Sequence, residues 1–346
     1  AARLRCVVRQ RGVMKRLRRM VRHRVVRYLL LGVLLTGVHP AEASNPAAPR
    51  FDSSVVQLQL DAPAFAPERI KVDVYLPPGY ARGVRRYPVL YANDGQDMDA
   101  VGLQSTLTRL YREHAIEPVI VVAVEMLSDR ASGYGLSDRA TARSLVGGSA
   151  IGPIGTRAHD YSAWVATALV PYVDAHYRTR RSPRARTMLG WSLGALNAFN
   201  LGWQYPDVIG RVGAFSPSFW LAADRTSATS VQHTRLAQAM VDHGSRRTGL
   251  RMWFAVGTAE ETKDRDGDGI NDTVDDVQDL LQGYHGADGF RARGLQQLGY
   301  SINMDYAGHP SRRADAALFQ LQGGVHNQAS WKRMLPPFLR WAYGRH

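Results

Sequence analysis

Ser192 stands between two glycines in Gly190-Trp191-Ser192-Leu193-Gly194, with an apolar run before it and a helix-like run after it. A serine hydroxyl is a weak nucleophile until a neighbouring base takes its proton. The G-x-S-x-G spacing suits a sharp strand-to-helix turn that lifts such a hydroxyl clear of a sheet. Small residues on both sides leave room where the backbone comes too close for a Cβ. The backbone N–H of Leu193, at the start of the following helix, would point at an oxyanion developing on a substrate. With 32 glycines in the chain, the string by itself also fits an ordinary turn holding a buried serine.

A nucleophilic serine needs a histidine and an acid, which in this arrangement follow it in the order Ser, acid, His. Of eleven histidines, His326 is the best placed, in Gly323-Gly324-Val325-His326-Asn327 between the last expected strand and the terminal helix. His309, in Gly308-His309-Pro310, and His285, in a polar stretch, are its competitors. The acid is expected after the strand Arg251 to Val256, where Gly257-Thr258-Ala259-Glu260-Glu261 offers two carboxylates. Immediately beyond, residues 264–275 place Asp264, Asp266, Asp268, Asp272 and Asp275 at EF-hand ligand positions, with Gly269 at the sharp turn and Ile270 offering its carbonyl. This spacing predicts a structural Ca2+ beside the triad's acid. Asp rather than Glu at the last position shortens the bidentate reach, and a solvated acidic turn is the alternative.

Elements must hold these groups in place. Val55 to Leu60 and Arg69 to Leu76 alternate as an antiparallel start does, and Pro77-Pro78-Gly79-Tyr80 ends the second run with a turn. Tyr87 to Ala92 and Pro118 to Val124 are short continuous apolar runs, the mark of parallel strands buried on both faces. Further strands are expected at Thr187 to Leu189, Val212 to Phe215, Arg251 to Val256 and, last, Ser301 to Tyr306. Helical spacing occupies Ala100 to His114, Tyr161 to Tyr177, Leu193 to Tyr205 and Gln328 to Tyr343. Strand and helix alternating in this way predict an α/β fold, a mostly parallel doubly wound sheet with helices on both faces and an antiparallel N-terminal start.

The chain of 346 residues is 45% apolar and carries a formal charge of +14. Residues 1–43 hold 11 of its 44 Lys+Arg and one acid, Glu42, leaving 33 bases against 29 acids, a net +4, elsewhere. The basic signal therefore belongs to the leader, and a nucleic-acid partner loses its support. That leader reads as a signal peptide: a basic segment to Arg27, an apolar run from Tyr28 to Val38, and an A-x-A cleavage pattern at Ala41 and Ala43. The run is short for a membrane span, so no stable span is expected after cleavage, and an uncleaved anchor is the alternative. Met14 and Met20 each begin a conventional signal sequence, which predicts a start downstream of residue 1. A linker over 44–52 then leads to one domain over 53–346. The sole cysteine, Cys6, lies in the leader, which excludes thiol and disulfide chemistry from the mature chain. The expected location is the periplasm or outside the cell.

Several stretches together resemble the enterochelin-esterase-like branch of the α/β-hydrolases, related to feruloyl esterases and mycolyltransferase antigens. They are Val74 to Tyr80, Tyr87 to Gln96, Pro171 to Thr179, the serine turn, Ser216-Pro217-Ser218-Phe219-Trp220, and Gly324 to Trp331. The resemblance implies that the backbone N–H of Gln96 joins that of Leu193 as an oxyanion hole. It also implies that Glu260, rather than Glu261, is the acid. Two departures stand out: Ala195 where the family has a second glycine after the turn, and Gly133 where an R-x-x-E-Y segment carries its carboxylate. Trp191, Trp220 and Tyr134 are candidates for the wall of the acyl pocket, with core packing the alternative for Trp220 and Tyr134. The expected activity is hydrolysis of small or polymer-linked carboxylic esters by Ser192, His326 and Glu260, with no cofactor for catalysis. Acyl transfer on the same fold and a catalytically silent, calcium-dependent binding module are the rivals.

Overall fold

The structure, a computed structural model, describes residues 54–150 and 152–345. The signal peptide and linker expected over 1–52 lie outside the described residues.

Nine strands form one sheet. They are β1 (Val55–Asp61), β2 (Arg69–Tyr75), β3 (Val89–Ala92), β4 (Ile120–Val124), β7 (Arg186–Trp191), β8 (Arg211–Phe215), β9 (Arg251–Gly257), β12 (Ile302–Asn303) and β13 (Ala316–Leu321). The missing numbers belong to two short hairpins, β5 (Leu136–Asp138) with β6 (Arg143–Leu145), and β10 (Tyr284–His285) with β11 (Arg291–Ala292). The order across the sheet is β1-β2-β4-β3-β7-β8-β9-β13-β12. The β1–β2 and β2–β4 pairs are antiparallel and all the others parallel. The antiparallel start and parallel centre match the sequence expectation.

Every residue of β3, β4 and β7 is buried, as continuous apolar runs require when helices cover both faces. Alternate strand residues point to opposite faces. On one face Leu90, Val121, Leu189 and Trp253 pack under α1 (Leu103–Arg112) and the terminal helix α9 (Gln328–Tyr343). On the other face Tyr91, Val122, Met188 and Phe254 meet α3 (Ala158–Trp164), α4 (Val170–His176), α5 (Leu193–Gln204), α7 (Leu236–Asp242) and α8 (Asp272–Gln282). The remaining helices are α2 (Arg130–Gly133) and α6 (Ala228–Thr234).

Two expectations need correction. The run expected as one helix over 161–177 widens into a π-turn at Val165–Leu169 between α3 and α4. Pro171 lacks the N–H that an α-helix would direct at the carbonyl four residues back. The last long strand is β13, not Ser301 to Tyr306, of which only Ile302 and Asn303 pair at the sheet edge. Among the described residues no helix is long and apolar enough to cross a membrane.

The chain runs from β3 outward to β4 and then returns to the other flank of β3 with β7. Loops leaving the carboxyl ends of β3 and β7 therefore part at a topological switch point, where open α/β sheets leave a crevice. Gln96 follows β3 and Ser192 follows β7.

Candidate active site

Ser192 is the single residue between β7 and α5, and it takes φ 57° and ψ −125°. A non-glycine residue in that region carries strain of about 1–3 kcal/mol, held by its surroundings. Here the surroundings are specific. The Ser192 N–H donates to the Phe215 carbonyl at 3.0 Å, and its carbonyl accepts from Ser218, Ala195 and Leu196. A Cβ on Gly190 would stand 2.2 Å from the Gly194 carbonyl oxygen, and one on Gly194 would stand 2.5 Å from Asp94 Oδ2. Both glycines are thus demanded by close approach, as the spacing predicted.

Strands further along the same side of the sheet supply the other groups. Glu260 follows β9 and His326 follows β13, and His326 Nδ1 lies 2.8 Å from Glu260 Oε2. The Glu260 side chain is 1% exposed and that of His326 42%, so the acid is enclosed while the imidazole reaches the surface. Glu260 Oε1 accepts two further bonds, from Ser216 Oγ at 2.6 Å and from the Gly257 N–H at 2.6 Å. Ser216 Oγ in turn accepts from Trp331 Nε1 at 2.9 Å, and the Trp331 ring stands edge-on to the His326 ring at 5.4 Å. A carboxylate gripped in this way holds one orientation. With Nδ1–H directed at Glu260, Nε2 of the neutral ring is left as the base.

Ser192 Oγ, Leu193 and His326 line one cleft of about 470 Å³, with Ser218 and Trp220 also in its wall. Ser218 Oγ is 3.5 Å from Ser192 Oγ. Glu261 lines the same cleft but accepts from Thr273 Oγ1 at 2.6 Å instead of reaching His326. His309 and His285 stand elsewhere, His309 beside Asp305 Oδ2 at 3.0 Å and His285 exposed in β10.

Gln96 sits in a one-turn helix, Gly95–Asp97, directly after Asp94, whose φ is 56°. The first N–H groups of a helix have no partner within it, so those of Gln96 and Leu193 are available to an external acceptor. Asp94 fixes this turn. Arg130 donates to both its carboxylate oxygens, at 2.7 and 2.8 Å, and Gln96 Nε2 donates to Oδ1 at 3.1 Å. A Cβ on Gly95 would stand 2.8 Å from the backbone of Val124, so the turn lies directly against β4. Beneath, Asn93 Nδ2 donates to the Gly194 carbonyl at 2.8 Å and to Asn197 Oδ1 at 3.1 Å, tying this loop to the first turns of α5.

Other expected positions fall differently. Trp220 lines the cleft, with the Arg225 guanidinium 5.4 Å from its ring centre. Tyr134 is fully buried and outside the cleft wall; its hydroxyl accepts from the Asp94 N–H at 2.9 Å, so it positions the β3 loop. Trp191 is 1% exposed on the opposite side of the sheet, stacked on Trp331 and donating to Asp97 Oδ2 at 2.9 Å. Strand alternation explains this: Ser192 faces the cleft, so its neighbour turns away. Ala195 is fully buried in the core and does not reach the cleft. At Gly133 the methyl of Met126 lies where a Cβ would stand.

Of the calcium-like residues, Asp264, Asp266 and Asp268 bring carboxylate oxygens within 4.8 Å of one another at the surface. Asp272 does not join them, because its Oδ1 accepts from the Arg265 N–H at 2.8 Å and its Oδ2 pairs with the Arg265 guanidinium at 3.0 Å. The sequence reading gave no role to Ser216, Ser218, Arg130 or Trp331. Their only signal was membership in the family-like stretches and their place after strands β4, β8 and β13.

The family model described as "Putative esterase" matches residues 64–341. The uncharacterized protein YbbA of Bacillus subtilis (strain 168) is 24% identical over 153 residues, 42% of this chain and 56% of that protein. The chain thus matches little more than half the length of its curated relatives. Among solved structures, a ferulic acid esterase superposes with TM-score 0.56 at 17% identity, covering 85% of this chain and all of the other. Enterochelin esterase from Shigella flexneri superposes with TM-score 0.55 at 17% identity, covering 84% of this chain and 59% of the other. At such identities the likeness is one of α/β-hydrolase fold.

Proposed function

The chain belongs to the esterase family whose model spans residues 64–341, and on that footing we propose that it is a serine hydrolase of carboxylic esters. The observation that carries this is the 2.8 Å contact between Glu260 and His326 on the cleft that the strained Ser192 also lines. In the reaction Ser192 Oγ attacks the ester carbonyl while His326 Nε2 takes its proton. Glu260 keeps the imidazole in the required tautomer and stabilises its charged form. The N–H groups of Leu193 and Gln96 receive the negative charge on the carbonyl oxygen. Collapse expels the alcohol, protonated by His326, and leaves an acyl group on Ser192. Water, deprotonated by the same histidine, then releases the acid.

The name of one similar structure, a ferulic acid esterase, favours an aromatic acyl group. Trp220 in the cleft wall is the side chain that suits it. The leader over residues 1–43 supports export to the periplasm or beyond. Steady-state hydrolysis of 4-nitrophenyl acetate, butyrate and benzoate tests the activity. Turnover in the wild type that falls to background in Ser192→Ala and in His326→Ala is expected; turnover surviving either substitution overturns the assignment.

A further inference from the structure

We infer that the cleft takes esters bearing a negatively charged group, a carboxylate in the simplest case, and that Arg225 and Lys263 receive it; this rests on the hydrolase reading above. The described wall of the cleft carries four cationic side chains, Arg130, Arg225, Lys263 and Arg265, against two carboxylates, Glu261 and Asp272. Two of the four cations are already engaged. Arg130 grips Asp94 through both carboxylate oxygens, and Arg265 pairs with Asp272 and Asp276. Arg225 and Lys263 make no ion pair among the described residues. Glu261, the lining carboxylate that is left over, is turned to Thr273 Oγ1.

The acids next in sequence do not neutralise these two cations. Asp264, beside Lys263, accepts from the Gly267 and Gly269 N–H groups of its own loop at 2.7 and 2.9 Å. Asp224, beside Arg225, accepts from the Thr226 N–H at 2.9 Å. Each of these acids is bound to backbone, and the positive charge is left on the cleft wall.

Arg225 is the better placed of the two. Its guanidinium lies 5.4 Å from the centre of the Trp220 ring, in the same wall. Its stem passes Gly148, where a Cβ would stand 3.2 Å from Arg225 Cδ, and the Gly148 N–H donates to the Ala222 carbonyl at 3.2 Å. An arginine packed between a ring and a backbone bridge has lost part of its rotamer freedom before any ligand arrives, and its planar fork matches a carboxylate. Lys263 comes from the loop of a different strand. It follows Glu260 and Glu261 beyond β9, and its carbonyl accepts from the Asp272 N–H at 2.8 Å at the start of α8. Its ammonium is a point charge on a long stem, so it adds attraction more than direction.

Ser192 and His326 line the same cleft of about 470 Å³, so a substrate whose carbonyl reaches Ser192 has these cations within the same space. A neutral ester leaves both of them to water. An anionic one gains a charge-assisted contact, about twice as strong as a neutral hydrogen bond, and salt weakens that contact because Arg225 and Lys263 are exposed.

Matched esters separate charge from shape. Mono(4-nitrophenyl) adipate against 4-nitrophenyl hexanoate places the carboxylate in the acyl part, and 4-acetoxybenzoate against 4-acetoxybenzamide places it in the alcohol part. In at least one pair kcat/KM should be roughly tenfold higher for the anionic member, and that preference should decline as NaCl rises from about 20 to about 500 mM. The ratio within the pair should fall roughly tenfold in Arg225→Gln and to a smaller extent in Lys263→Gln, while Arg313→Gln, outside the cleft, should keep the wild-type ratio. No preference for the anion in either pair, or a preference undiminished in Arg225→Gln and Lys263→Gln alike, overturns the inference. Turnover of the neutral esters that vanishes in Ser192→Ala keeps the hydrolase reading standing in that event. Turnover of none of the four esters contradicts that reading and the inference with it.

Discussion

Glu260 is the most heavily committed carboxylate near the proposed reaction. It meets His326, Ser216 and the Gly257 N–H at once, with its side chain 1% exposed. Glu260→Gln keeps the shape but offers His326 Nδ1 an amide, and the amide can turn its NH2 toward the ring and enforce the wrong tautomer. A loss in kcat of about 10³–10⁴-fold with little change in KM is expected from steady-state kinetics on a 4-nitrophenyl ester. Ser216→Ala is milder in chemistry but leaves Trp331 Nε1 without an acceptor inside the protein, at a cost of about 1–3 kcal/mol. Urea titration should detect that loss of stability, while kcat falls about tenfold as Glu260 loses one of its three anchors. Equal kcat for wild type and Ser216→Ala would show that the carboxylate is oriented without it.

The turns after β3 and β7 translate fold into geometry. Gly190 and Gly194 were legible in the sequence because close approach excludes a Cβ there, and the structure gives that exclusion its atoms. Gly190→Ala would drive a methyl into the Gly194 backbone, so soluble yield and Tm should both collapse, since no side chain can move aside. The Arg130–Asp94 pair was not legible, because 36 residues separate its members and only the fold brings the two loops together. Arg130→Met should free Asp94 and the turn carrying Gln96. Losing one oxyanion donor costs about 10²–10³-fold in kcat, and a displaced donor should approach that figure. Single-turnover kinetics checks this, and an unchanged acylation rate would remove Arg130 from the role of positioning residue. Trp191, expected in the pocket wall, and Tyr134, for which core packing was the alternative, both turn inward for a related reason. Aromatic residues beside a proposed nucleophile look like pocket walls, yet strand alternation and the β3 loop assign both to the interior.

Across the whole molecule, the parallel centre of the sheet was readable from uninterrupted apolar runs, since burial on both faces leaves no polar alternation. The strand Ala316–Leu321 was not, because Ala-Ala-Leu-Phe-Gln-Leu has neither β-branched residues nor alternation to separate it from a helix. The placing of His326 does not depend on that strand, as a glycine-rich loop precedes the terminal helix whichever strand comes before it. The region from α6 to α8 depends on Arg235, 1% exposed between Asp276 and Asp279. Arg235→Leu leaves the enclosed Asp279 without its cation and Asp276 with Arg265 alone, and should cost about 3–5 kcal/mol at neutral pH. Burial raises the pKa of the Asp279 carboxyl, the more so without its cation, so the penalty should shrink as the pH falls and it takes up a proton. Thermal unfolding from pH 7.5 to pH 5 measures this, and a variant deficit that widens in acid would contradict it.

The decisive measurement is mass spectrometry of the folded protein after exposure to a fluorophosphonate, which modifies a serine only where a base and an oxyanion hole already surround it. One phosphonyl adduct per chain is expected, mapped by proteolysis to the peptide containing Ser192, strongly slowed in Glu260→Gln and absent in Ser192→Ala. An unmodified wild type, or an adduct on any other residue that persists in Ser192→Ala, would contradict the assignment of Ser192 as the nucleophile.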